Sequence, residues 1–152
     1  MRKERRQEND TGFDKKIISI RRVTRVYSGG KRMRMSVVVA AGDKNGKVGI
    51  GLGKGTDVRA AEEKAFRQAI SRMQDIPRKG NTIPHTIVYK KGAAKIILLP
   101  AAPGTGIIAG GPIRSIMELA GIKDVLSKML GANNSVTNAY ATIEALTKMI
   151  SK

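Results

Sequence analysis

Hydrophobic and polar positions in the first third of the chain follow the pattern of paired strands. The segments IISIRRVTRVY, from Ile17, and RMRMSVVVAAG, from Arg32, are rich in β-branched residues and are joined through SGGK. β-Branched residues favour strands, and a glycine pair between two such segments permits the positive φ angles of a tight turn. The two segments therefore predict a β-hairpin.

A third strand and a helix are predicted next. The segment VGIGLG follows the turn sequence DKNGK, and TDVRAAEEKAFRQAISRMQD then places its apolar residues at helical spacing. Thr56 or Asp57 can cap this helix, and Pro77 ends it soon after Ile76. Residues 13–76 are therefore predicted to form a β-β-β-α unit.

The rest of the chain predicts a second unit of mixed structure. PRKGNTIP, residues 77–84, contains two prolines and predicts a linker. HTIVYKKGAAKIILLP predicts a hairpin that turns at Lys91 and Gly92, followed by a glycine-rich loop and the helix PIRSIMELAG. DVLSKMLG fits a short strand or a helical turn, and NNSVTNAYATIEALTKMI fits a helix capped by Asn or Ser. The fold class is therefore α+β, with a second, α/β domain at residues 85–152.

The charge of the chain points to an acidic partner. The 29 Lys and Arg residues outnumber the 12 Asp and Glu residues and give a net charge of +17, and residues 1–12 read as a flexible basic arm. Binding of clustered cations to nucleic acid is favourable because it releases the counterions of the phosphates. An anionic membrane surface is the alternative partner. No apolar segment approaches the roughly 20 residues that span a bilayer, and no signal peptide is recognisable. We expect a cytoplasmic protein without a membrane partner.

Residues suited to catalysis are scarce. The chain has no Cys, which excludes disulfides, thiolate metal sites and cysteine nucleophiles, and its one histidine, His85, is expected to be structural or to contact RNA. The adjacent carboxylates Glu62 and Glu63 lie about 100° apart around the predicted helix and are expected to form a solvated face. Three Tyr and two Phe, some of them in the core, are too few for a base-stacking platform. We predict no enzyme activity, no small-molecule substrate, no metal and no cofactor.

Two glycine clusters could suggest nucleotide binding. The alternating glycines of VGIGLGKG fit neither the dinucleotide fingerprint nor the P-loop, and they leave one face of a strand bare for a helix or a nucleic-acid backbone. In PGTGIIAGGPIRS, Gly104, Gly106 and Ala109 have dinucleotide spacing, with Asp124 about 20 residues later. A hairpin feeds that strand, however, and Asp124 precedes its apolar segment. We therefore expect a strand-to-helix turn whose helix N-terminus faces an anion or a partner protein.

Basic residues concentrate in the first two hairpin turns and their flanking strands. If the turns form one basic edge, this edge is a candidate nucleic-acid contact, since an isolated solvated face does not explain so large a global surplus of cations. The candidate contacts are Arg21, Arg22, Arg25, Lys31, Arg32, Arg34, Lys44 and Lys47.

The ordered set of motifs resembles bacterial small-subunit ribosomal protein five from about Ile17 to Ile150. The similarity lies in RRVTRVYSGGKRMRMSVVVAAGDKNGKVGIGLGKG, VRAAEEKA, NTIPH and PGTGIIAGGPIRSIMELAGIKDVLSKMLG. The resemblance implies an N-terminal domain similar to double-stranded-RNA-binding domains. It also implies a C-terminal α/β domain with a left-handed β-α-β crossover, in which DVLSKMLG is a strand.

The resemblance also implies a function without catalysis. The protein would be a structural constituent of the small ribosomal subunit that binds small-subunit ribosomal RNA, supports translation and influences decoding accuracy near the messenger RNA entry path. Its first hairpin loop, Thr24 to Arg34, would contact the RNA. Its glycine-rich turn would contact small-subunit ribosomal protein four, and its second domain would neighbour protein eight. The alternative is a free-standing regulatory protein that binds double-stranded RNA.

The resemblance extends the set of candidate site residues. To the basic residues above it adds RNA contacts at Ser28, Gly29, Gly30 and Lys54. The implied protein-partner interface consists of Gly104, Gly106, Gly110, Gly111 and Arg114.

Overall fold

A computed structural model describes residues 12–149 of the chain. The predicted basic arm, residues 1–12, lies outside the described residues apart from Gly12. The first half contains β1 (Asp14–Tyr27), β2 (Gly30–Gly42), β3 (Lys47–Gly55), α1 (Val58–Ser71) and β4 (Gln74–Asp75). The second half contains β5 (Ile87–Lys91), β6 (Ala94–Pro100), β7 (Ile107–Ile108), α2 (Gly111–Ala120), β8 (Val125–Met129) and α3 (Ser135–Thr147).

The first sheet is antiparallel, in the order β1-β2-β3-β4, and α1 packs on one of its faces. The predicted cap is confirmed, because the Asp57 side chain accepts a hydrogen bond from the Ala60 amide at 3.3 Å. The predicted helix end near Ile76 is wrong, since α1 ends at Ser71. The chain turns back there so that β4 can pair with the start of β3, and the Ile76 amide then donates to the Gly46 carbonyl.

The second sheet has the order β5-β6-β8-β7. Its first two strands form the predicted hairpin, which turns after Lys91 through Gly92 at a φ of +57°. The segment DVLSKMLG contains strand β8, as the resemblance implied. β7 and β8 are parallel and are connected through α2, while Asn134 caps α3 with its side chain. The α+β class of the fold is therefore confirmed.

The described residues form two hydrophobic cores: a small one between the first sheet and α1, and a larger one that the two sheets share. The largest buried cluster includes Val38 and Ile50 from the first sheet together with Leu98 and Leu119 from the second half of the chain. Ile83, from the segment predicted as a linker, is fully buried in the same cluster. The core therefore fixes the first sheet against α2, and this packing determines where the first hairpin points.

Candidate nucleic-acid interface

The first hairpin extends beyond the sheet to which it belongs. β3 ends at Gly55, which pairs with Met35, so the strand pairs from Val23 with Arg34 to Tyr27 with Gly30 have no third strand beside them. All residues from 20 to 34 are exposed. We name residues 23–34 the projecting ribbon; at about 3.4 Å per residue it reaches about 15 Å past the sheet.

The tip of the projecting ribbon is open. Ser28 and Gly29 form the turn between Tyr27 and Gly30, and Gly30 has a φ of +146°. A Cβ atom added at Gly29 or Gly30 would meet no atom within 4 Å. A partner can therefore approach the backbone of the tip closely.

One face of the hairpin is rich in arginine. Directly paired residues of an antiparallel ladder share a face, and the faces alternate along each strand. The guanidinium carbons of Arg25 and Arg32 lie 5.2 and 5.6 Å from the centre of the Tyr27 ring, as expected for residues on one face. We name this the arginine face; its members are Arg21, Arg25, Tyr27, Arg32 and Arg34.

The arginine face continues onto the body of the protein. Ser36 pairs with Arg21 on one side and with Lys54 on the other, which brings these two exposed cations into one row. The Arg21 guanidinium also donates a long hydrogen bond, 3.5 Å, to the Asn134 side chain. The row therefore ends at the N-terminus of α3.

The cations of the hairpin are not neutralised within the described chain. None of the ion pairs among residues 12–149 involves a basic residue between Arg21 and Arg34. Exposed charges without carboxylate partners remain available to phosphate groups. The arginine face is therefore the strongest candidate for contact with a polyanion.

The prediction of a single basic edge is wrong. Lys44 and Lys47 flank the turn after β2, whereas the ribbon tip precedes β2, and consecutive turns of an antiparallel sheet lie at opposite ends. The 13 residues of β2 separate the two groups by about 40 Å. Lys44 is also paired with Asp14 at 2.5 Å. The two lysines therefore belong to a different surface from the ribbon.

The alternating glycines of β3 lie under α1. A Cβ atom at Gly49, Gly51 or Gly53 would overlap backbone carbonyl oxygens of the helix, and one at Gly55 would lie 2.9 Å from the Ala61 amide nitrogen. The sequence left either a helix or a nucleic-acid backbone as the partner of this bare strand face, and the structure places the helix there. This face of the sheet has no room for a nucleic-acid backbone.

The second glycine cluster forms the predicted turn, with Gly104 at a φ of +89°. The Asp124 side chain is 5% exposed and accepts a hydrogen bond from the Gly106 amide at 2.9 Å, while the Val125 amide donates to the Gly106 carbonyl. The carboxylate that a dinucleotide ribose would need is thus bound to the loop itself. Gly110 precedes α2 and Gly111 begins it, and Arg114 is exposed on its first turn.

A cavity of about 400 Å³ lies where the two halves of the chain meet. Glu118 binds Lys16 of β1 and Arg114 of its own helix, the latter at 3.2 Å. Burial alone would raise the pKa of Glu118, but the hydrogen bonds and charges of these two cations outweigh burial and lower it. Sequence reasoning missed this cavity, which joins residues from distant segments. Its lining residues are Lys44, Ile107, Arg114, Glu118, Gly121, Ile122 and Lys123.

Between residues 12 and 149, no three His, Cys, Asp or Glu side chains are placed to hold a metal ion, and no helix is long and apolar enough to cross a membrane. His85 is exposed, with Nδ1 3.0 Å from the Thr86 carbonyl oxygen. The expectation that Glu62 and Glu63 form a solvated face is wrong for Glu62. Its side chain is mostly buried, and its Oε1 lies 2.8 Å from Lys15 Nζ.

Comparison with known proteins gives matches along nearly the whole chain. The family model described as ribosomal protein S5, N-terminal domain, matches residues 13–77, and the one described as ribosomal protein S5, C-terminal domain, matches residues 89–152. Small ribosomal subunit protein uS5 of Thermus thermophilus is 48% identical over 143 residues, covering 94% of this chain and 88% of its own length. The uS5 protein of Acaryochloris marina is 41% identical over 146 residues, covering 95% of this chain and 82% of its own.

Proposed function

Because the chain belongs to the ribosomal protein S5 family, we propose that its projecting ribbon and Lys54 bind the phosphate backbone of small-subunit ribosomal RNA. The protein is a structural, RNA-binding constituent of the small ribosomal subunit in the cytoplasm, and it is not an enzyme. The alternative of a free-standing regulator has no support from these relatives, which are named as ribosomal proteins. The observation that carries the proposal is the arginine face, which has no carboxylate partner among residues 12–149.

The proposal assigns different surfaces to different partners. The ribbon and its tip bind RNA, and Lys44 and Lys47 make a second, separate RNA contact at the far end of the sheet. The turn from Gly104 to Arg114 contacts ribosomal protein four, and the second domain neighbours protein eight. Two observations support an interface at the turn: the exposure of Gly104 and Gly111, and the hydrogen bond from the Gly106 amide to Asp124 that fixes the turn. In this arrangement the protein supports decoding accuracy near the messenger RNA entry path.

We also propose a domain type for the first unit and a handedness for the connection between β7 and β8. We assign the β-β-β-α order of the first unit to a double-stranded-RNA-binding-like domain, and we assign a left-handed crossover to the parallel pair β7 and β8. The boundary between the domains is placed at residues 77–84.

A triple substitution in the ribbon tests the RNA contact. We expect the Lys31→Ala, Arg32→Ala, Arg34→Ala variant to fold normally, because all three side chains are exposed. Its affinity for a small-subunit ribosomal RNA fragment should fall at least tenfold, and the slope of log affinity against log salt should decrease by about 2 to 3. Filter binding between 50 and 200 mM salt measures both quantities.

A matched control separates a site from bulk charge. Replacing Arg67, Arg72 and Lys90 with alanine removes the same charge from the exposed side of α1, from its C-cap and from β5. We expect this variant to lose less than about threefold in affinity, because its cations lie away from the ribbon. Equal losses in the two variants would contradict the assigned site.

The intact protein should also show the salt dependence of a phosphate-binding protein. With roughly six to ten phosphate contacts, affinity should fall by about three to five decades between 50 and 200 mM salt. A nearly flat titration would refute a phosphate-dominated interface. Gradient sedimentation, with and without RNase, should place the protein with small-subunit particles only while their RNA is intact.

A further inference from the structure

The projecting ribbon has a second face whose chemistry differs from that of the arginine face. Val26 pairs with Lys31, Thr24 with Met33, and Arg22 with Met35, so these six residues share the opposite side. Val26 is 70% exposed and Met33 is 61% exposed. We name Thr24, Val26, Met33 and Met35 the apolar face; one cation lies at each of its ends.

The apolar face continues one of the two hydrophobic cores. Met35 is followed on the same side of β2 by Val37 and Val39, which are fully buried under α1. Ile20 pairs with Val37 and remains 46% exposed. The row of apolar side chains thus runs out from beneath the helix along the ribbon, where nothing in the described chain covers it. Contiguous exposed apolar residues of this kind mark a surface that is covered in the functional state.

We propose that the apolar face packs against unpaired nucleobases and riboses of the same RNA whose phosphates are bound by the arginine face. This inference rests on the proposed function and specifies the RNA that the ribbon recognises. Arg22 and Lys31, at the ends of the apolar face, favour a polyanion as its occupant. The arginine face lies on the other side of the same two strands, so one RNA can enclose both sides.

The geometry also selects the shape of the RNA. Side chains cannot read the deep, narrow major groove of an A-form helix, whereas unstacked bases in bulges, internal loops and junctions are open to contact. Aliphatic side chains such as Met and Ile pack between or against base faces where a nucleic acid is locally opened. The ribbon is therefore suited to an interrupted helix with unpaired nucleotides, and its apolar face should be indifferent to a perfect duplex.

The test combines apolar substitutions with a salt series. The double variant Val26→Ser, Met33→Ser should fold normally, since both side chains are exposed; urea unfolding checks this. Its affinity for a small-subunit ribosomal RNA domain that contains unpaired nucleotides should fall about ten- to hundredfold. The salt slope should remain that of the wild type, because no phosphate contact is lost.

A control variant and a control RNA separate the apolar face from other exposed apolar residues and from duplex binding. The control variant Val88→Ser, Leu130→Ser removes exposed apolar side chains outside the ribbon and should bind as the wild type does. On a perfect RNA duplex, Val26→Ser, Met33→Ser should also match the wild type. The Lys31→Ala, Arg32→Ala, Arg34→Ala variant should instead weaken binding to both RNAs and flatten the salt slope.

The outcomes distinguish this inference from the proposed function. If the wild type binds ribosomal RNA with a steep salt slope but Val26→Ser, Met33→Ser binds equally well, the apolar-face inference is wrong and the proposed function stands. The same conclusion follows if the double variant binds naked RNA normally but fails to enter particles, because a protein would then cover the face. If the wild type shows no salt-dependent binding to ribosomal RNA, the proposed function itself fails.

Discussion

At the scale of single residues, β3 and α1 pack backbone against backbone. The glycines of β3 alternate so that every one at positions 49–55 faces α1, and the helix presents Ala61, Ala65 and Ala69 to them. With no side chain larger than a methyl group between them, helix and strand approach so closely that a Cβ atom on Gly49, Gly51 or Gly53 would lie about 2 Å from a helix carbonyl oxygen. This contact holds the helix in place although the cluster around it is small.

Gly51→Ala tests this contact. The added methyl group would overlap the carbonyl oxygen of Ala65, and backbone atoms cannot yield as a flexible side chain can. We expect a loss of about 2 kcal/mol or more in the free energy of unfolding, measured by urea denaturation. Gly29→Ala is the control, because its methyl group would meet no atom within 4 Å and the change should stay within about 0.5 kcal/mol. Similar losses at the two positions would contradict the packing argument.

At the scale of elements, the ion pairs of Glu118 connect β1 to α2. Lys16 comes from the first strand and Arg114 from the helix that carries the carboxylate, so one acidic side chain holds two cations at the junction. Together these contacts lower the pKa of Glu118 in the folded protein. Ionised Glu118 therefore stabilises the fold at neutral pH.

Glu118→Gln should show the corresponding pH dependence. A carboxylate whose pKa is lowered on folding stabilises the protein at pH values above its unfolded-state pKa, which is about 4.5 for Glu118. This stabilisation is lost as the pH falls through the pKa of the folded state. We expect the variant to be about 1 kcal/mol less stable than the wild type at pH 7, with the difference shrinking below pH 4.5. Urea unfolding from pH 7 to pH 3 measures it. A difference that stayed constant over this range would contradict the ion-pair origin.

The elements show what sequence reasoning could and could not predict. Strands β1 to β3, β5 and β6, the Asp57 cap and α2 follow from local spacing, and the charge of the hairpin follows from composition. Spacing left β8 open between a strand and a helical turn, and β7 lies in a segment predicted to be a loop. Strand β4 could not be predicted in this way, because Gln74 and Asp75 become a strand only by pairing with Lys47 and Val48. The hydrophobic periodicity of the segment does not encode that contact. The cavity beside Arg114 was missed for the same reason, since only the fold brings Lys44 next to the lining residues at 107–123.

At the scale of the whole molecule, the shared core determines how the protein unfolds. Leu119 is almost fully buried in the large cluster, its carbonyl accepts a hydrogen bond from the Lys44 amide, and its Cβ lies against Gly42. The first sheet and α2 therefore cannot separate without exposing the same apolar surface. We expect the two halves of the chain to unfold together.

Leu119→Ala should destabilise both sheets at once. Removing this side chain leaves a cavity in the common core and should cost about 2 to 5 kcal/mol. Native-state hydrogen exchange should then show equal losses of protection for the slowest amides of β2 and of β6. Loss of protection confined to one sheet would show that the halves unfold independently.

The position of β1 in the sheet has a consequence for the protein before it is assembled. β1 is an edge strand of 14 residues, and its outer row of amide and carbonyl groups is a template on which a second copy could add a strand. Arg21, Arg22 and Arg25 lie along this edge, and the irregular register between Ile17 and Ser19 interrupts it. Mutual repulsion of these side chains opposes edge-to-edge pairing of two newly made chains, so we expect the arginines proposed as RNA contacts also to limit aggregation before assembly.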